Sequence, residues 1–107
     1  MPPIMTTLRL RVPETIDVAP LIQEIVAGLA DRLRDDHGYE LDESACEATG
    51  SVSRNVYALR PHGSIVIKCD GALTVSLHQI DVDARDLFTG LISELEQRHE
   101  GLRAEID

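Results

Sequence analysis

The chain has no tryptophan, and its aromatics are two tyrosines and one phenylalanine, 3% of 107 residues. Any core is therefore left to Leu, Ile and Val. Cysteine is equally sparse. Cys46 and Cys69 are too few for a disulfide framework and lack the paired spacing of a zinc site, so both read as small apolar fillers. No apolar run approaches the ~20 residues of a membrane span. The opening Met-Pro-Pro-Ile-Met has no basic region followed by an apolar stretch, so no secretory signal is expected and the expected compartment is the cytoplasm. Basic residues are the minority: 10 Lys and Arg against 19 Asp and Glu give a net charge of −9. Such a balance repels phosphate backbones, which argues against direct nucleic-acid binding and suits a protein partner that is basic.

What is present is ordinary globular composition, 43% hydrophobic and 27% charged, at the length of one domain spanning residues 1–107. A core of this size is modest, so a homodimer is expected. Thr7 to Val12 alternates, with Leu8, Leu10 and Val12 on one face and Arg9 and Arg11 on the other, as in a strand buried on one side. Pro13 ends it. Asp17 is placed to cap a helix in which Val18, Leu21, Ile22, Ile25, Val26, Leu29 and Leu33 recur at steps of three and four, ending near Asp36 with His37-Gly38 as the stop. Ala45, Ala48, Val52, Val56 and Leu59 predict a second helix from about Asp42 to Leu59. Arg60-Pro61-His62-Gly63 breaks the chain. Residues 64–80 predict an antiparallel hairpin turning at Asp70-Gly71. Asp83 caps a third predicted helix carrying Leu87, Phe88, Leu91, Ile92 and Leu95, weakened by Gly90 and closed by Gly101. Leu102, Ala104 and Ile106 alternate as a last strand. The predicted order is β-α-α-β-β-α-β, an α/β (α+β) two-layer sandwich with a mixed or antiparallel sheet and helices on one face.

Three stretches bear on function. They are the strand and helix of residues 8–33, the segment Ala-Cys-Glu-Ala-Thr-Gly-Ser-Val-Ser-Arg-Asn-Val-Tyr at 45–57, and Gly-Ser-Ile-Val-Ile-Lys, a turn, then Leu-Thr-Val-Ser-Leu-His-Gln-Ile-Asp at 63–81. In this order they resemble the bacterial anti-sigma factor serine kinases of the GHKL superfamily, the histidine-kinase-like ATPases. The resemblance implies that superfamily's fold. It also implies a helix presenting a Glu that activates the attacking hydroxyl and, four residues on, an Asn that holds Mg²⁺ on the nucleotide. Glu47 falls on the Glu position, and Ser51 replaces the Asn; Asn55 lies one turn further. At the adenine positions the chain has Gln79 and Asp81, in place of the family's Asp and Gly. Asp81, Asp83 and Asp86 stand where the family has a glycine-rich lid over the phosphates.

With every ATP-handling motif altered, the expectation is a shortened relative without ATP or any other cofactor: a non-catalytic regulator similar to an anti-sigma factor. Its partner would be a sigma factor or an antagonist of the STAS type. The first strand and helix carry the homodimer and sigma-factor contacts in that family, which makes Arg9, Arg11, Gln23, Glu24, Asp31 and Arg34 the partner-binding candidates. The alternative is an active ATP- and Mg²⁺-dependent serine/threonine kinase with atypical ligands.

Plainer readings stand beside these. Ser44-x-x-Glu47 is a capping box, and Gly50 and Ser51 are small residues suited to close helix packing. The four histidines lie in separate segments without metal-ligand spacing. Glu94 and Arg98 read as a surface pair within the third helix.

Overall fold

A computed structural model of the protein describes residues 6–43, 47–48 and 54–107. The first strand is β1 (Thr7–Arg11), with Leu8 and Leu10 fully buried and Arg9 and Arg11 exposed. Helix α1 (Val18–His37) follows, and its buried stripe is Leu21, Ile22, Ile25, Val26, Leu29 and Leu33. Asp17 occupies the N-cap with extended backbone, although its side chain makes no capping bond. Gly38 adopts φ +76 at the C-cap, and Tyr39 N–H returns to the Leu33 carbonyl, which satisfies orphan carbonyls at the helix end.

The chain then departs from the predicted second helix. Residues 40–41 form the short strand β2 (Glu40–Leu41), Glu47 and Ala48 form β3 (Glu47–Ala48), and Arg54 to Arg60 form the seven-residue strand β4 (Arg54–Arg60). No helix spans 42–59, so the predicted order β-α-α-β-β-α-β becomes β-α-β-β-β-β-β-α-β. The expected capping box fails with it, because Glu47 is in a strand; Ser44, Cys46, Gly50, Ser51 and Val52 lie outside the described residues. The reason lies in the neighbouring hairpin, β5 (Ser64–Asp70) and β6 (Ala72–His78). Alone, that hairpin leaves β5 with an open apolar edge, which is unfavourable in water. β4 closes it, pairing Val56 with Val66 and Tyr57 with Ile65. This register puts Leu59 in the core and Tyr57 against it.

The hairpin itself turns at Gly71, φ +74, between paired Asp70 and Ala72. Helix α2 (Ala84–Arg98) is capped by Asp83, whose carboxylate accepts from the Arg85 and Asp86 N–H groups. Strand β7 (Arg103–Ile106) ends the fold. The strands run β2-β4-β5-β6-β1-β7 across one sheet, with β3 also on β4, and every pairing is antiparallel.

Both helices lie on one face. Their buried side chains join Leu8, Leu10, Ile65, Ile67, Leu73 and Val75 in a single cluster around Phe88. Cys69 packs at its margin. The architecture is α+β in two layers, and neither helix covers the opposite, outer face of the sheet. No helix among the described residues is long and apolar enough to cross a membrane.

Candidate functional site

Of the residues matched to a nucleotide site, Glu47 and Asn55 stand one register position apart on the paired strands β3 and β4, and Gln79 and Asp81 follow β6. Glu47 pairs in register with Val56, and Ser51 lies outside the described residues. Asn55 is half-buried on β4 opposite Ile67, which in turn faces Val75. Gln79 lies four residues beyond Val75, roughly 13 Å further along the sheet at strand rise. Gln79 is exposed and holds φ +55, while its carbonyl accepts from His62 Nδ1 at 2.8 Å. Asp81 is exposed, and its N–H donates to the Tyr39 hydroxyl at 3.4 Å. Gln79 and Asp81 therefore belong to a knot around Tyr39 and His62, whose rings meet edge to face at 5.4 Å. Among the described residues, no group of three His, Cys, Asp or Glu is arranged to hold a metal.

The partner-binding candidates divide between two surfaces. On α1, Gln23 and Asp31 are exposed, and Arg34 reaches Asp31 at 3.4 Å and Asp35 at 3.2 Å. Glu24 is committed within the molecule. It accepts from Arg98 at 3.0 Å and from His99 at 2.7 Å, tying α1 to the end of α2. Burial alone would raise its pKa, but the hydrogen bonds and charges of His99 and Arg98 outweigh that and hold the carboxyl below its ordinary value. The expected Glu94–Arg98 pair is replaced by two bonds between the helices, since Glu94 takes Arg32 at 2.8 Å while Arg98 takes Glu24. The spacing within α2 allowed the first pair; the proximity of α1 supplies better-placed partners. These pairs line a groove of about 510 Å³ between the helices.

Arg9 and Arg11 belong to the outer sheet face, and the strand register brings further cations beside them. Arg54 stands opposite Lys68, Lys68 opposite Thr74, Thr74 opposite Arg9, and Arg9 opposite Glu105. One row thus crosses five strands, about 19 Å at ~4.8 Å per strand. Arg11 stands opposite Arg103 in the next row. Arg9 and Arg11, with Val12, Gly71, Ala72 and Thr74, line a shallow groove of about 530 Å³. Arg9 also reaches Asp107 at 3.1 Å. Sequence reading found Arg9 and Arg11 from alternation. It missed Arg54, Lys68 and Arg103, whose common face depends on which strands pair.

No family model matches the chain, and no curated protein or solved structure matches it either.

Proposed function

We propose that the chain is a non-catalytic protein-binding module that docks through the outer face of its sheet. The observation that carries this reading is the exposure of Arg9 and Arg11 on a broad antiparallel face that neither helix covers. Extended strands hold such side chains at fixed spacing, which suits recognition of one partner geometry. A further support is that Gln79 and Asp81 are engaged with His62 and Tyr39 in local structure.

A narrower form of the proposal is a cytoplasmic regulator similar to a GHKL anti-sigma factor that does without ATP and pairs as a homodimer. Its support is the strand and helix of residues 8–33 and the hairpin of 63–81. The Glu-bearing helix of that family has no counterpart in the strand at Arg54–Arg60. A sigma factor or a STAS-type antagonist is the partner this form proposes.

Calorimetry with Mg-ATP, followed by incubation with labelled ATP and those candidate partners, tests the reading. It expects no micromolar nucleotide binding and no phosphate transfer. Transfer to a partner that disappears in Glu47→Ala overturns it in favour of a serine kinase.

A further inference from the structure

The two ends of the sheet differ. At one end lies β2, a strand of two residues, and an edge that short offers little to a further strand. At the other end is β7, four residues without a proline, and among the described residues no strand pairs with its outer side. Its backbone groups are divided between the two sides. Thr7 and Asp107 exchange both N–H···O bonds, at 3.3 and 2.9 Å. Alternation along an antiparallel ladder then commits the Glu105 and Arg103 groups to Arg9 and Arg11. The N–H and C=O groups of Ala104 and Ile106 point the other way, out of the open edge.

We infer that this edge pairs antiparallel with β7 of a second copy, making one continuous sheet. Resting on the homodimer of the narrower reading above, this pairing gives it a surface and a register. The two-fold axis of such a pair stands perpendicular to the sheet and keeps both helix layers on one side. Directly opposite residues share a face, and faces alternate along a strand, so the axis is centred on a residue rather than between two. Centred on Arg103 it sets Arg against Arg, and centred on Glu105 it sets Glu against Glu. Centred on Ala104 it sets each Arg103 against Glu105 of the other copy on the outer face. The same register sets Leu102 against Ile106 on the inner face. It also brings the outward N–H groups of Ala104 and Ile106 to the carbonyls of Ala104 and Leu102 in the other copy. Charge thus selects one register among the three.

Arg9 stands opposite Glu105, but its guanidinium reaches Asp107 at 3.1 Å. Among the described residues neither Arg103 nor Glu105 is in an ion pair. Arg103 also stands beside Arg11, a like charge that a facing carboxylate offsets. The helix layer agrees with this arrangement. Helix α2 packs on β7, and its Glu94 and Arg98 turn to α1. On the helical wheel Arg85, Ile92 and Glu96 lie on the flank away from α1, the side on which the sheet ends. Ile92 is only half-buried there. Arg85 precedes it and Glu96 follows it, so an antiparallel copy of this flank again meets opposite charge. A closed two-fold contact covers both β7 edges and stops at two copies.

The test uses the full chain. Sedimentation velocity between about 5 and about 500 μM reads association, and hydrogen exchange reads single amides. A concentration-dependent dimer is expected, with the Ala104 and Ile106 amides exchanging slowly in it and fast in the monomer. Ala104→Pro removes an amide proton that β1 does not use and is expected to abolish the dimer. Arg103→Glu and Glu105→Arg change the net charge in opposite directions. Each is nevertheless expected to weaken the dimer about tenfold, because each puts like charges in both facing pairs. Mixed in equal amounts, the two variants are expected to associate as wild type does, since every facing pair is again opposite in sign.

A chain that stays monomeric throughout overturns the inference and the homodimer with it. A dimer whose Ala104 and Ile106 amides exchange freely, or one that survives Ala104→Pro, overturns the inference and leaves the homodimer standing on another surface. Failure of the mixed variants to recover association overturns the register. Protection of the two amides in a monomer, gained only on adding a STAS-type protein, overturns the second copy in favour of a strand from that partner.

Discussion

Glu24 of α1 accepts a 2.7 Å hydrogen bond from His99, the residue that caps α2, and the two side chains are each about three-quarters buried. With Arg98 at 3.0 Å, this clasp fixes the end of one helix to the middle of the other. Burial works against the Glu24 carboxylate, and the hydrogen bonds and charges of His99 and Arg98 more than offset it, so its folded pKa is lowered. A lowered carboxyl pKa contributes stability that is present above the unfolded value, ~4.3, and lost as pH falls through the folded one. Glu24→Gln is therefore expected to cost about 1 kcal/mol in urea unfolding at neutral pH. The gap to wild type should close as the pH approaches 3, the lower edge of that carboxylate range. An equal gap at both pH values refutes the account.

Gly28 and Gly90 are both helical glycines, yet opposite results are expected on conversion to Ala. A Cβ at Gly28 meets Leu91 Cδ1 at 2.8 Å, and Leu91 is fully buried and cannot retreat. Overpacking of about 1–3 kcal/mol then exceeds the helix-propensity gain of about 1 kcal/mol. A Cβ at Gly90 meets only the Arg32 guanidinium, Nε at 3.4 Å and Nη2 at 3.8 Å, the far end of a flexible side chain. Gly28→Ala should lower the midpoint of thermal unfolding, and Gly90→Ala should raise it.

Gly63 follows the break after β4, and two independent demands fall on it. Its φ is +97, and a Cβ there sits 2.6 Å from Ile80 Cγ1 and 3.0 Å from the carbonyls of His78 and Gln79. Gly63→Ala is expected to destabilise by more than about 2 kcal/mol, because backbone strain and a backbone clash add. It should also loosen the contact of His62 with Gln79, visible as a change in the His62 ring resonances by NMR.

Most elements were legible because their signals are local. Leu8 and Leu10 alternate with arginines, the α1 stripe repeats at helical steps, and Gly38, Gly71 and Asp83 mark a stop, a turn and a cap within a few residues of the elements they bound. The stretch around Arg54–Arg60 was not legible in that way. Val52, Val56 and Leu59 fit a helix, while Asn55, Tyr57 and Leu59 fit a strand equally well. The deciding fact is the open edge of β5, which lies beyond any local window. The same holds for the candidate site. Arg9 and Arg11 declare themselves within one strand, whereas Lys68 sits in a run read only as apolar, and its place beside Arg54 and Thr74 follows from pairings with two other strands. That dependence also takes Glu47 out of the helix in which the sequence placed it, because its partner is a strand far along the chain.

Lys68 offers the last test. It is exposed on β5 directly opposite Arg54. Lys68→Glu brings opposite charges together across the ladder and should raise stability by about 0.5 kcal/mol, read as a higher urea midpoint at unchanged slope. Removing the charge alone, in Lys68→Gln, should give a smaller rise in the same direction, because it ends the like-charge juxtaposition without adding an attraction. Both gains should shrink at high salt, since the two side chains are exposed and their interaction is screened. A gain that is equal for Glu and Gln and insensitive to salt would trace to side-chain packing rather than to charge across the strands.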